Sequence, residues 1–131
     1  MTSAPRSDGL VVLAHGSPDP DWLRPSQAVV ERIRRAAPGR PVELATLEHG
    51  PDLSAVVATL HARGCRHVAV VPLFLSAGGR HLKRDIPALV ADVARACPDV
   101  DLRLVPVALG SDDAVLDALA AAAVRLGLDD G

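Results

Sequence analysis

Hydrophobic and polar positions along the chain fall into two alternating kinds of run. Residues 9–14, 42–47, 67–75 and 102–107 are short, nearly continuous apolar stretches, the pattern of strands buried on both faces. Between and after them, apolar residues recur at helical spacing: Val29, Val30, Ile33 and Ala37; then Leu53, Val56, Val57 and Leu60; then Ile86, Leu89, Val90, Val93 and Cys97. A final Ala-rich segment carries Val115, Leu116, Leu119, Ala123 and Leu126 on the face expected to point inward. Asp52 and Ser111 are placed to cap helices, and Pro38-Gly39, Gly64 and Pro98 to stop them. Four strand–helix units in sequence predict one α/β domain over residues 9–128. It is an open, mostly parallel four-stranded sheet with helices on both faces, a flavodoxin-like three-layer sandwich. The polar residues 1–8 read as a frayed end.

Right-handed crossovers place every strand-to-helix loop of such a sheet on one edge, where open α/β sheets bind ligands. Three chemically active side chains fall there: His15 in LVVLAHGS, Glu48 after the second strand, and His81 in VAVVPLFLSAGGRHLKRDIP. Two imidazoles and a carboxylate suit a first-row divalent metal, with the carboxylate as ligand or proton acceptor. Glu48 lies 33 residues from each histidine, which matches no short metal motif, so only the fold brings the three together. On spacing alone, each histidine reads equally well as a solvated loop residue.

Around them, Arg80, Lys83 and Arg84 form a basic cluster able to grip carboxylates, against a reading as an ordinary solvated helix start. Ser17, Ser76, Gly78 and Gly79 offer an anion hydroxyls and backbone N–H groups. Ser17 has no base at a supporting spacing, and GxSxG is absent, which argues against a serine nucleophile. Trp22 reads either as a stacking surface for a flat ligand or as packing over the sheet edge. His49 reads as a surface residue, since neighbours in an extended segment point to opposite faces. His61 and His67 stand isolated from acidic partners in the pattern, and Asp85 reads as a helix-start carboxylate.

Composition narrows the partners. The chain has 131 residues, 49% of them apolar and 23% charged, ordinary for one globular domain. A single Trp, a single Phe and no Tyr leave too few platforms for stacking nucleic-acid bases. The net charge of −2 provides no global field for a polyanion. The apolar stretch at 68–75 is too short to span a bilayer and contains Pro72. Cys65 and Cys97, without CxxC spacing and without a secretory leader ahead of them, point to a reduced, cytoplasmic setting and to inert thiols.

Three segments taken together, LAHGS, the Leu47-Glu48 pair followed by Pro51, and PLFLSAGGRHLKRDIP, resemble the small class II chelatases, the CbiX or SirB type of sirohydrochlorin chelatase. The resemblance covers residues 9–107, and the third segment is its most specific part. It implies ATP-independent insertion of Co2+ or Fe2+, with Ni2+ a further candidate, into sirohydrochlorin on a route to cobalamin, sirohaem or a related tetrapyrrole. The metal would be a substrate, with no organic cofactor. His15 and His81 would be the metal-binding pair and Glu48 the neighbouring carboxylate. A chain with one such half resembles the form that works as a homodimer. Two other readings stand beside it: a metal carrier or tetrapyrrole-binding protein on the same fold, and a phosphate-binding α/β protein using HGS and SAGG as anion nests.

Overall fold

The computed structural model describes residues 7–76 and 80–128, with the backbone alone at 80–82. Strands β1 (Gly9–Ala14), β2 (Val42–Thr46), β3 (His67–Pro72) and β4 (Asp101–Leu104) form one fully parallel sheet in the order β2-β1-β3-β4. Helices α1 (Arg24–Ala36), α2 (Leu53–Ala62) and α3 (Arg80–Ala96) are the three crossovers, and α4 (Asp113–Gly127) follows β4. The α/β class and four-stranded sheet expected from the alternating pattern are therefore present.

Side-chain alternation divides the core into two layers. Val11 and Leu13 of β1 and Val68 and Val70 of β3 pack with Leu53, Val57 and Leu60 of α2 and with Ile86, Val90 and Val93 of α3. Val12 and Val42, with Leu10 and Leu44, meet Val30 and Ile33 of α1 on the other face. Asp52 caps α2 as read, its carboxylate accepting from Ala55 N–H at 2.8 Å.

Connections run from β1 outward to β2 on one side, and from β3 outward to β4 on the other. The direction of winding thus reverses between β1 and β3, and the crevice this leaves at their carboxyl ends is where such sheets hold ligands.

Several boundaries differ from the sequence reading. Asp8, assigned to the frayed end, instead clamps the foot of the sheet. Its carboxylate accepts from the backbone N–H groups of Arg66 (3.0 and 3.1 Å) and His67 (3.0 Å). Partial burial pushes the Asp8 carboxyl up, but the Arg66 and His67 N–H donors outweigh it and hold it below the ordinary carboxylate range. β3 ends at Pro72 and β4 at Leu104, short of 75 and 107; Leu73 and Val105 each keep one backbone bond to the sheet, and beyond Leu73 the chain goes on to line the cleft. Asp112 rather than Ser111 caps α4, accepting from Ala114 and Val115 N–H.

The largest correction concerns α4 itself. None of its residues is buried: Leu116, Leu119, Ala123 and Leu126 are exposed instead of facing inward, and Val115 is half-buried. α4 packs mainly on the short 3-10 turn Leu109–Ser111 before it. Among the described residues the sheet face that α1 covers over β2 and β1 is less covered toward β4: Ala69 of β3 is buried, but Val71 is half-buried and Arg103 of β4 is exposed.

Candidate active site

The β1–β2 ladder runs on past both strands and thereby joins two residues far apart in sequence. Leu47 N–H donates to Ala14 C=O at 3.0 Å, and Glu48 N–H donates to His15 C=O at 3.1 Å. The His15 and Glu48 side chains consequently rise from adjacent points of the carboxyl edge, with His15 Nε2 3.4 Å from Glu48 Oε1. Both are open to solvent, at 65% and 54% exposure. Such a pair adds little to stability but remains free to receive an ion or a proton.

Two local features hold this arrangement. Gly16 sits at φ +90, and a Cβ there would lie 1.9 Å from the Glu48 carbonyl oxygen, so the crossing of the two loops admits only glycine. The 47–50 turn is closed by Thr46, the one buried polar residue among those described, whose N–H (2.8 Å) and Oγ1 (3.4 Å) both donate to Pro51 C=O. His49 is exposed, as expected, for a different reason: it occupies a left-handed turn position at φ 59, and the segment is not extended.

On the β3 side, Leu73 N–H donates to Leu13 C=O at 2.8 Å, after which Phe74 to Ser76 turn away from the sheet. Phe74 C=O accepts from Gly110 N–H at 2.8 Å. Gly110 rests so closely on Leu75 that a Cβ would meet the Leu75 Cα at 2.3 Å. Gly78 and Gly79 lie outside the described residues. Helix α3 begins at Arg80, so His81 is its second residue and not part of the loop in which the sequence reading placed it. The helix start still follows β3 on the carboxyl edge, across the switch point from His15. Lys83 and Arg84 are exposed in the first turns of α3, and Asp85, one turn in, is too far along to cap it.

Between these loops lies a cleft of about 610 Å³, within the usual range for small-molecule and cofactor sites. Its polar lining is His15, Glu48, Ser17, Ser26 and Ser76; its apolar walls are Trp22, Leu23, Leu73, Phe74 and Leu75. Ser17 Oγ accepts from Asp19 N–H at 3.1 Å, which ties it into the turn beside His15. Ser26, Phe74 and Leu75 were not singled out from sequence. Ser26 carries no signal there, and the other two merge with the apolar run of β3.

No group of three His, Cys, Asp or Glu side chains among the described residues converges as a metal cage, at this cleft or elsewhere. His67 Nδ1 lies 3.5 Å from Asp101 Oδ2, its neighbour in the β3–β4 register, which corrects the reading of His67 as isolated from acids. Cys65 is buried and Cys97 half-buried, both as free thiols. Burial first, and then the Asp8 carboxylate, push the Cys65 thiol above its ordinary range, consistent with an inert packing role. No helix among the described residues is long and apolar enough to cross a membrane.

A parallel α/β sheet with an imidazole–carboxylate pair and a cleft at its switch point belongs to the doubly wound class, which holds ligands at that position. The chain belongs to the CbiX family, whose profile matches residues 9–126. A sirohydrochlorin cobaltochelatase of Saccharolobus islandicus is 39% identical over 83 residues, covering 63% of this chain and 62% of that one. One of Methanococcus aeolicus is 33% identical over 84 residues, covering 63% and 58%. The chain thus spans about 62% of the length of the first of these curated relatives. Among solved structures, the CbiX protein of Marinobacter aquaeolei superposes with a TM-score of 0.80 at 28% identity, over 90% of this chain and 95% of that one. SirB from Bacillus subtilis with Fe3+ gives a TM-score of 0.76 at 25% identity, over 92% of this chain but 48% of that one.

Proposed function

We propose that this protein inserts a divalent metal ion into sirohydrochlorin. The reading rests on the His15–Glu48 pair, 3.4 Å apart and open to the cleft at the carboxyl edge, in a chain whose relatives are named cobaltochelatases. Metal insertion needs two pyrrole N–H bonds to ionise while the ion sheds water, each nitrogen keeping the electron pair that then binds the metal. A carboxylate and a neutral imidazole are both proton acceptors suited to take those protons, and a neutral imidazole also holds a first-row ion. His15 and His81, on the two sides of the switch point, are the proposed metal-binding pair, with Glu48 the proton acceptor beside His15. Arg80, Lys83 and Arg84 at the start of α3 are the proposed contacts for the substrate's carboxylates, with Ser17, Ser76, Gly78 and Gly79 offering further hydrogen bonds.

Co2+ and Fe2+ are the proposed metals, with Ni2+ a third candidate, since affinity at nitrogen sites rises along that series and availability decides among them. No organic cofactor is proposed. The free thiols Cys65 and Cys97 favour a reducing, cytoplasmic location. The test is anaerobic mixing of sirohydrochlorin with Co2+, followed by absorbance, with and without protein. The expected result is formation of the metallated spectrum well above the spontaneous rate. Metal binding without acceleration would overturn the enzyme in favour of a carrier.

We further propose that two copies work together. Two observations support this: α4 carries an uncovered apolar face, although an isolated helix of its length is marginal in water, and among the described residues one sheet face is less covered toward β4, where Arg103 is exposed. SirB, matched over 48% of its length, has room in one chain for a second such unit. A solution mass of twice 13.6 kDa is expected by light scattering, and Leu116→Glu with Leu119→Glu should shift it toward the monomer. A monomer at micromolar concentration that turns over normally would exclude the dimer.

A further inference from the structure

We infer that Trp22 is the stacking wall of the cleft, its indole lying against the flat face of the tetrapyrrole; this deepens the proposed function and rests on it. The chain holds one Trp, one Phe and no Tyr, and both aromatic residues line this one cleft. Phe74 is partly buried against the core, whereas Trp22 is 72% exposed. That exposure excludes the alternative in which the indole packs over the sheet edge. A large apolar ring left in water at the rim of a cavity is available to cover the apolar face of a flat ligand.

The backbone beneath the ring is fixed in advance. Trp22 ends the 3-10 turn Pro20–Trp22, capped by Asp19, whose Oδ1 accepts from Asp21 N–H at 2.9 Å and whose C=O accepts from Trp22 N–H at 3.0 Å. Pro18 and Pro20 remove further freedom on the approach, and Pro25 does so at the start of α1. Little backbone ordering then remains for the binding step. Leu75, also exposed, lines the same cleft from the β3 loop, so the opening has apolar surface from two separate loops with His15 and Glu48 between them in the lining. A flat ring with apolar faces and charged edges fits this lining better than a compact phosphate does.

Because Trp22 is the chain's sole tryptophan, its emission reports on this wall alone. The unaltered protein is titrated with metal-free sirohydrochlorin, and emission, corrected for ligand absorbance, is compared with binding measured independently by equilibrium dialysis. Saturable quenching that tracks the dialysis curve is expected. Trp22→Ala should weaken binding about tenfold, the scale of a lost ring-stacking contact. It should raise KM and leave kcat nearly intact, while Trp22→Phe recovers most of the affinity. Unchanged affinity in Trp22→Ala, or binding by dialysis with no change in emission, overturns the stacking role and leaves the chelatase reading standing. No binding by the unaltered protein overturns the chelatase reading itself.

Discussion

His15→Ala will slow metal insertion into sirohydrochlorin by about a hundredfold or more, the contribution typical of a positioned acid–base group. Its thermal melting should stay close to that of the unaltered protein. Both halves of that expectation come from the same observation. The imidazole is two-thirds exposed and its charged partner among the described residues, Glu48, stands 3.4 Å away, so its removal leaves no cavity in the core and strands no buried charge. Exposed positions of this kind change stability by roughly 0.5 kcal/mol or less. His81→Ala, at the second position of α3, should lose activity to a similar degree. Normal turnover by both variants in the cobalt insertion assay would rule out the histidine pair as the metal site.

Gly16→Ala should do the opposite: it removes no chemical group yet damages both fold and rate. The new methyl group would lie 1.9 Å from the Glu48 carbonyl oxygen, at a φ of +90 that side chains rarely adopt. Relief requires the two loops to part, which breaks the Glu48 N–H to His15 C=O bond and pulls the imidazole and carboxylate away from each other. Forcing a residue with a side chain into such a backbone costs on the order of 1–3 kcal/mol before the clash is added. Unfolding in urea should therefore come at lower denaturant, with the insertion rate falling in parallel. A variant that melts and turns over like the unaltered protein would show that the loops yield without separating the pair, and would sink the account of Gly16 as their spacer.

Much of this architecture was legible in the residues. β1 and α1 are marked by an unbroken apolar run and then a helical one between turn residues, and Asp52 announces α2 in the chemistry of its side chain. The overshoot at β3 has a physical cause: Leu73, Phe74 and Leu75 are as apolar as the strand before them, and hydropathy does not distinguish a strand from the wall of a cleft. α4 fails differently. Its apolar stripe is plain in the sequence, but a stripe states that something must cover it and not what. Of the site, His15 and Glu48 were recognisable as candidates from their strand-end positions, yet their meeting depends on β2 pairing beside β1, a register that no local pattern encodes. Trp22 was legible as a choice between two surroundings, and its exposure argues against the one in which it packs over the sheet edge.

The contact between Gly110 and the Phe74–Leu75 backbone makes one hinge point of two regions otherwise described separately. The segment that aims α4 leans directly on the segment that forms a cleft wall, with no side chain between them to absorb a shift. In the proposed dimer, whatever steadies α4 would therefore also bear on the cleft wall, and the proposed self-association and the proposed grip on a flat ligand would be coupled through the same few atoms.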